Sequence, residues 1–586
     1  MLSFSDFKRI WVVDFEFRAE PSERQKPVCV VAHEVISGKT LSIWLQDETI
    51  PQPYPTTDDD LYIAYFSSAE WNCHLALGWE LPKYVLDLFV EFRNITNHSG
   101  TVKEAAGLLA ACRYFEIESI EQGQKDAARD LILKGSPYSE NDKEFIMKYC
   151  ASDVLETVEL FSKMIVHPDF NLGQALFRGE YMKTVAVMEF NGIPVDIELL
   201  HKIQSQWDTI KRKLINEVDI YGFYDENCTF KQENFANFIT QRGWNWATTD
   251  TGKYKLDDDT FKEMALVHPE LQPIKELRSL ISKLNVKNLI VGSDGRSRAM
   301  ISPFSTKTGR NAPKGEKSRA TDLRPRFMFG LPACLRSLMK PEKGTVLAYI
   351  DYSQQEFFIA AVLSKDTAMR FAYDSGDPYL AFAKLAGAAP EDATKHTHKE
   401  VRKLFKSCVL GVQYGLGADS LAINIGKPLP YAKELLEHHK RVFKDYWQWG
   451  KLYWHTACLD KSVQTCFGWR MKVFGTTNKE MLTVRNFPIQ ATGAEILRVA
   501  CILLVENNIK IIAPVHDAIM IECKEETADF EINFAKTLVE NASEIVLGSG
   551  NRLKTDVDII YYPNRFIDEK GAETWGKICK VLQDVD

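Results

Sequence analysis

Four short stretches of the 586-residue chain hold acids that a cation could gather. In "VVDFEF", Asp14 and Glu16 stand two apart in a run of strand formers, so both carboxylates leave one face. In "KYCASDVLE", Tyr149 and Asp153 stand four apart, hence on one face of a helix. "LAYIDYSQQEFFIAA" runs apolar into Asp351 and adds Glu356 five residues later. "APVHDAIMIE" reads as strand–turn–strand with His516 and Asp517 at the turn. Like charges this close repel unless a proton or cation intervenes. Carboxylates brought together on rigid strand ends are what metal-assisted phosphoryl chemistry needs, whereas singly each reads equally as a solvated strand end or a capped turn. Between the last two stretches, "KEVRKLFKSCVLGVQYGLG" predicts a helix on which Arg402, Lys406, Leu410 and Tyr414 recur every four residues, drifting slowly around one face. The two cations suit a polyphosphate and the flat ring beside Gly415 suits a base; a snorkelling amphipathic helix fits the same spacing.

The elements that must hold these residues follow from periodicity. Residues 1–165 alternate strand signals ("IWVVDFEF", "VCVVAHEV") with helical ones ("VKEAAGLLAACRYF", "NDKEFIMKYCASDVLETVELFSKMI"), which predicts an α/β domain. From about 170 to 290 the pattern is mainly helical, with "PIKELRSLISKLN" strongly amphipathic. Residues 301–340 carry nine Lys/Arg against two Asp/Glu and are rich in Gly, Pro, Ser and Thr: a basic loop, solvated or lying along a polyanion. Helices return over 377–460, a hairpin is expected around Phe467-Gly468, and the helix "ATGAEILRVACILLVENN" precedes the final acidic turn.

Composition sets outer bounds. The length calls for more than one domain, and 45% hydrophobic with 26% charged residues is ordinary for a globular chain. The net charge of −8 argues against a uniformly basic nucleic-acid coat without excluding a local basic groove. No uninterrupted apolar run approaches the ~20 residues of a membrane span, and the N-terminus lacks a leader pattern. The twelve cysteines contain no CxxC pair, so reduced thiols, no zinc site and a cytoplasmic location (host cytoplasm for a phage protein) are expected.

Taken in order, "DYSQQE", "RKLFKSCVLGVQYG" and "VHD" resemble motifs A, B and C of the family A DNA polymerases, the bacterial DNA polymerase I type. "TKTGRNAP" is similar to the approach to the palm, "RNFPIQATGAEILR" to the segment near the primer–template minor groove, and "EFNGIPVD" and "ELRSLISKLN" to the start and end of the thumb. The N-terminal part resembles the DEDD-type 3′–5′ proofreading exonucleases with a Tyr. Matching its middle acid through "SSAEWNCHLALGWELP" selects Glu70, with Asp87 as a substitute. The implied fold is a ribonuclease H-like α/β exonuclease domain over 1–170. A right-hand α+β polymerase domain follows over 171–586, with a palm built on an antiparallel sheet. Its implied boundaries are thumb about 171–300, palm about 301–371 and 480–586, and fingers about 372–479.

The resemblance also implies roles. Asp351 and Asp517 would hold two Mg²⁺, with Mn²⁺ as a substitute; Asp14, Glu16, Glu70 and Asp153 would hold the exonuclease pair, with Tyr149 orienting water. Arg402, Lys406, Leu410, Tyr414 and Tyr379 would line the dNTP site, and Glu356 would crowd the sugar 2′ position. Arg310, Asn486, Gln490 and His516 would contact primer and template. Departures from the family pattern are Ala518 for the Glu of motif C, Leu410 for an aromatic, Tyr379 for a fingers His, and Gln355 inside motif A. With the chain starting almost at the exonuclease strand, no 5′-nuclease domain is expected. Compactness and these substitutions point to a phage replicative enzyme, monomeric, with primer–template DNA, dNTPs and phage replisome proteins as partners and no membrane. The rival readings are an exonuclease with a non-catalytic polymerase scaffold, a structural replisome component, and a single-subunit RNA polymerase.

Overall fold

The computed structural model describes residues 2–46, 50–98, 106–119, 122–283, 286, 289–313, 325–413, 415–475 and 477–583. The N-terminal sheet contains β1 (Arg9–Arg18), β2 (Lys26–Glu34), β3 (Thr40–Trp44), β4 (Asp60–Ala64) and β5 (Tyr84–Asp87) in the order β3-β2-β1-β4-β5. β1 pairs antiparallel with β2 and parallel with β4, so the strand carrying Asp14 and Glu16 sits centrally and is held from both sides. Helices α1 (Ser68–Leu77), α2 (Leu88–Thr96), α3 (Leu108–Tyr114), α4 (Gln122–Lys134) and α5 (Glu140–Met164) cover it. α5 starts at a reciprocal cap between Ser139 and Asp142 and packs along β1 and β2, which lays its Tyr149–Asp153 face beside the acids of β1.

α6 (Leu172–Asn191) leaves this domain and anchors it to the next. Its Arg178 is fully buried, donating to both carboxylate oxygens of Glu91 on α2 (2.6 and 2.7 Å) and to the Phe467 carbonyl (3.0 Å). A buried pair of this kind costs about 3–5 kcal/mol when one partner is deleted, because the other charge is stranded. Beyond it, β6 (Ile193–Pro194) pairs with β7 (Arg296–Ser297) and closes the base of a helical lobe. That lobe comprises α7 (Ile197–Val218), α8 (Gln232–Arg242), α9 (Asp258–Val267) and α10 (Gln272–Lys283), with an aromatic core of its own around Phe223, Phe235, Trp246 and Phe261. "EFNGIPVD" and the stretch just past "ELRSLISKLN" thus meet at one seam, as ends of a single lobe must.

β8 (Thr345–Tyr352) is one of the two inner strands of the second sheet. α11 (Gln355–Ser364), α12 (Thr367–Asp374), α13 (Pro378–Leu385), α14 (Lys399–Gln413), α15 (Ala418–Ile425), α16 (Leu429–Val442) and α17 (Lys444–Asp460) form the fingers-like lobe. The hairpin of β9 (Ser462–Gln464) and β10 (Arg470–Lys472) turns at Gly468, as the sequence predicts, and hydrogen-bonds to α2 through Asn94 and Asn97. α18 (Asn478–Glu506) then crosses beneath the sheet. By length and hydropathy α18 could cross a membrane, yet 83% of its apolar window is buried inside the protein, as suits a core helix. β11 (Lys510–Val515), β12 (Ala518–Lys524), α19 (Ala528–Leu547), β13 (Thr555–Tyr561) and α20 (Ala572–Gln583) complete the chain, with antiparallel sheet order β11-β12-β8-β13.

Both faces of β8 are covered, which explains why it reads as a nearly unbroken apolar run. Val346, Ala348, Ile350 and Tyr352 enter the core shared with α18 and α19. Leu347 and Tyr349 enter the core shared with the thumb base and α20. Asp351 continues this second set, so the pleat turns it to the face where Ala518 and Met520 of β12 also point.

Candidate active sites

At the palm, Asp351 lies directly across from Ala518 of β12 on one side and Asp556 of β13 on the other. Asp517 occupies the β11–β12 turn, where its carbonyl accepts from the Tyr352 backbone N–H (3.2 Å) and its neighbour His516 takes a left-handed conformation (φ 51°) in solvent. The two acids are therefore set by sheet register. Burial, then Asp517, Asp556 and Asp558, push the Asp351 carboxyl up to about 7, and burial likewise raises Asp517. Asp351 Oδ1 is buried with no hydrogen-bond partner among the described residues. An acid that is crowded by like charge and left with an orphan oxygen fits a divalent cation. Ala518, fully buried opposite Asp351, adds no further carboxylate to this pair.

Strand passes to helix through Gln354 in a left-handed conformation (φ 48°), which swings Glu356 into the first turn of α11. Glu356 accepts from Arg310 (2.7 Å). Arg310 is delivered by a tight turn in which Gly309 (φ 73°) lies against the Trp469 indole; a Cβ there would meet the ring at 3.0 Å. The same turn is pinned by Trp469 Nε1 on the Lys307 carbonyl (2.9 Å) and by buried Arg498 on the Gly309 carbonyl (2.7 Å). Gln355, the departure within motif A, is buried against Gly493 of α18, whose missing Cβ leaves room for its amide.

On the fingers side, α14 presents Arg402 and Lys406 over the ring of Tyr379 (5.5 and 5.7 Å to its centroid). Arg402 is also ion-paired to Asp377, the residue that caps α13. Burial pushes the Tyr379 hydroxyl up to about 12, with Glu356 contributing, so this ring lies within electrostatic reach of the palm. Leu410 lies one turn beyond Lys406 on α14, half-buried. Tyr414 lies outside the described residues, as does the 314–324 part of the basic loop. Gly415 (φ 76°) is in close approach to Leu482 of α18, which brings the end of the fingers helix against the helix bearing Asn486 and Gln490. Those two stand one turn apart, both half-buried.

The N-terminal acids also converge. The carboxylates of Asp14 and Glu16 and the Cys150 thiol lie within 4.8 Å of one another. Glu70, in the first turn of α1, is buried close to Asp14 and keeps Oε2 without a partner among the described residues. The Tyr149 hydroxyl lies close enough to Asp153, one turn on along α5, to act on its carboxyl. Burial and mutual repulsion push Asp14 up to about 8 and hold Glu16 and Glu70 well above the carboxylate range; burial also raises Asp153. These donors fit divalent ions. Asp87 does not join them: it caps α2 through the Val90 N–H and accepts from the Ser67 backbone N–H and hydroxyl. That choice between Glu70 and Asp87 turns on helix capping, which the sequence pattern did not show.

Sequence reasoning missed Lys125 on α4, whose Nζ bridges Asp153 Oδ1 (2.7 Å) and Glu156 Oε2 (3.0 Å). The available signal is a lysine in line with Ala128 and Ile132, on the buried stripe of an amphipathic helix. It also missed Asp377, whose carboxylate oxygens divide between a helix cap and Arg402.

A mixed α/β acid centre is joined to an antiparallel sheet whose strand ends hold Asp351 and Asp517, and a separate helical lobe carries Arg402 and Lys406. The family model described as DNA polymerase family A matches residues 231–560, more than half of the sequence, and the chain belongs to that family of template-directed DNA polymerases. It is 26% identical to DNA polymerase I of Aquifex aeolicus (strain VF5), over 68% of this chain and 73% of that protein. With the DNA polymerase of Mycobacterium phage D29 it shares 23% identity, over 69% of this chain and 66% of the phage protein. It spans 44% of the length of the thermostable DNA polymerase I of Thermus thermophilus, at 23% identity. The POL domain of Pol1 from M. smegmatis, solved in complex with DNA primer-template and dNTP, superposes with a TM-score of 0.69 over 94% of this chain and 95% of that one; at 18% identity this likeness speaks to fold.

Proposed function

We propose that residues 171–586 add dNTPs to a primer 3′-hydroxyl, and that residues 1–170 remove mispaired 3′ nucleotides. The observation that carries the first part is the adjacency of Asp351, which pairs with Ala518, and Asp517 in the turn just before Ala518, with an unpartnered buried oxygen on Asp351. Asp351 and Asp517 would hold Mg²⁺, which when bound activates the hydroxyl and neutralises the triphosphate and leaving pyrophosphate. Arg402 and Lys406 grip the β- and γ-phosphates, and Lys406 gives the pyrophosphate its proton. Releasing Arg402 from Asp377 and Arg310 from Glu356 is the rearrangement that substrate binding drives. Arg310 then serves the primer end, and Glu356 is free to crowd the 2′ position and exclude ribonucleotides. Tyr379 backs the phosphate cations; Tyr414 is assigned to the nascent pair. Arg310, Asn486, Gln490 and His516 test base-pair shape through minor-groove acceptors shared by all correct pairs.

The exonuclease reading is supported by the convergence of Asp14, Glu16, Glu70 and Asp153 and by the β3-β2-β1-β4-β5 order, with Tyr149 orienting the attacking water through its hydroxyl. Likeness to a phage polymerase supports a phage replicative role. Primer extension and 3′ degradation by wild type, Asp517→Ala and Asp14→Ala test both halves. Extension must vanish only in the first variant and degradation only in the second. Extension that persists in Asp517→Ala would overturn the polymerase assignment.

A further inference from the structure

The turn that delivers Arg310 is held from outside. Residues 302–311 form neither strand nor helix. Ser302 (φ 51°) and Phe304 (φ 54°) take left-handed conformations, which non-glycine residues keep only where their surroundings fix them. Those surroundings include the N-terminal domain. On α2, the half-buried Arg93 donates from Nε to the Phe304 carbonyl (2.9 Å) and from Nη2 to the Ser305 carbonyl (3.0 Å). Asn97, at the end of that helix, donates to the Lys307 carbonyl (2.8 Å) and to the Arg470 carbonyl of the β9–β10 hairpin (2.7 Å). α2 is itself anchored, since Asp87 caps its start and Glu91 is locked to Arg178. A planar guanidinium shared by two successive carbonyls fixes a loop in direction as well as place. Trp469 and Arg498 grip only the other limb of the turn, at Lys307 and Gly309. Beyond the turn, Arg310 donates to Glu356 (2.7 Å) and lies within electrostatic reach of Asp517.

We propose that α2 of the N-terminal domain is a working part of the polymerase site: Arg93 and Asn97 are positioning residues that hold the turn so that Arg310 meets the primer terminus. This rests on the primer role assigned to Arg310 above. Both side chains act through the backbone that carries Arg310. Without Arg93, the limb at Phe304 and Ser305 loses the contacts that keep it left-handed, and the turn pivots on its remaining grip at Lys307 and Gly309. A shift of about an ångström in a substrate-positioning group is enough to cost a large factor in rate. An arginine that only glued two domains together would instead weaken the N-terminal fold and leave Arg310 where it is.

The test is a double-mutant cycle on the full chain, with Asp14→Ala present so that degradation does not obscure extension. Single-turnover extension rates at saturating dNTP are read on one labelled primer–template. Arg310→Ala and Arg93→Ala should each lower the rate by roughly tenfold or more, and the double variant should be no slower than Arg310→Ala alone. Asn97→Ala should lower it by about threefold, and it completes the same cycle if Arg93→Ala does not fold. Arg93→Lys, which reaches one carbonyl, should recover part of the loss. With Asp14 retained, Arg93→Ala should degrade a single-stranded 3′ end within about twofold of the wild-type rate, because α2 carries none of the N-terminal acids. Losses that multiply in the double variant, an Arg93→Ala rate equal to the parent's, or degradation that falls together with extension would overturn the positioning role and leave the assignment of Arg310 standing. An unchanged rate in Arg310→Ala overturns that assignment, and the inference with it.

Discussion

The two acid centres of this polymerase solve one electrostatic problem differently. In the palm, Asp351 and Asp517 sit at strand ends, partly open, with Arg310 acting on Asp517 from the loop before the sheet. In the N-terminal domain the acids are enclosed between a sheet and helices, and the cation is Lys125, built in and bonded. Burial and like charge raise the acids of both centres, Asp14 to about 8 and Asp351 to about 7. An open site can be neutralised by substrate and by moving lobes, while an enclosed one must carry neutralisation with it or stay protonated until metal arrives.

The largest expected effect separates the centres outright. Asp517→Ala should lower primer extension by at least about a thousandfold while leaving 3′ degradation intact, and Asp14→Ala should do the reverse, since each removes metal-borne stabilisation worth several kcal/mol. Steady-state rates on one labelled primer–template check both. A variant that loses both activities together would dissolve the comparison.

The next effect lies on the palm side alone. Leu410 offers no hydroxyl to replace a missing 3′-OH, so chain termination should need a high dideoxy:deoxy ratio. Leu410→Tyr should lower that ratio by roughly tenfold to a hundredfold, the worth of a buried hydrogen bond. Efficient termination by the wild type would contradict this.

Affinity for primer–template should fall steeply with salt, as expected when basic side chains displace counterions. Binding measured by anisotropy across a salt series tests it, and a salt-independent dissociation constant would remove the basic groove from the account.

The smallest effect sharpens the contrast in pH. A carboxyl raised in the folded state favours folding while protonated, and that contribution is lost as pH climbs from its unfolded value through its folded one. The metal-free chain should therefore lose several degrees in Tm between about pH 5 and pH 8.5. Asp14→Asn should flatten the upper part of that fall more than Asp351→Asn does. Melting curves with chelator across this range decide it, and a Tm that rises over the window would reverse the sign.

Much of this was legible in the linear chain because period and spacing are local. The strand ending at Asp351, the turn at Asp517, the i,i+4 spacing of Tyr149 and Asp153, and the hairpin at Gly468 all appear where the pattern places them. Arg402 and Lys406 share one helix face for the same reason. Less legible was anything depending on a partner far along the chain. Gln355 fits beside α18 because Gly493, lacking a Cβ, makes its room, and nothing near Gln355 in the chain signals that. Asp87 and Glu70 were alternatives until capping claimed the first.

The sequence by itself determined which acids lie on which faces and in which order the motifs occur, because backbone geometry converts spacing into direction. Only the tertiary structure decided what neutralises them: Lys125 on Asp153, Arg310 on Glu356, Asp377 on Arg402. Charge pairing acts through space with no periodic trace, and burial, which sets its strength, is a property of the packed chain.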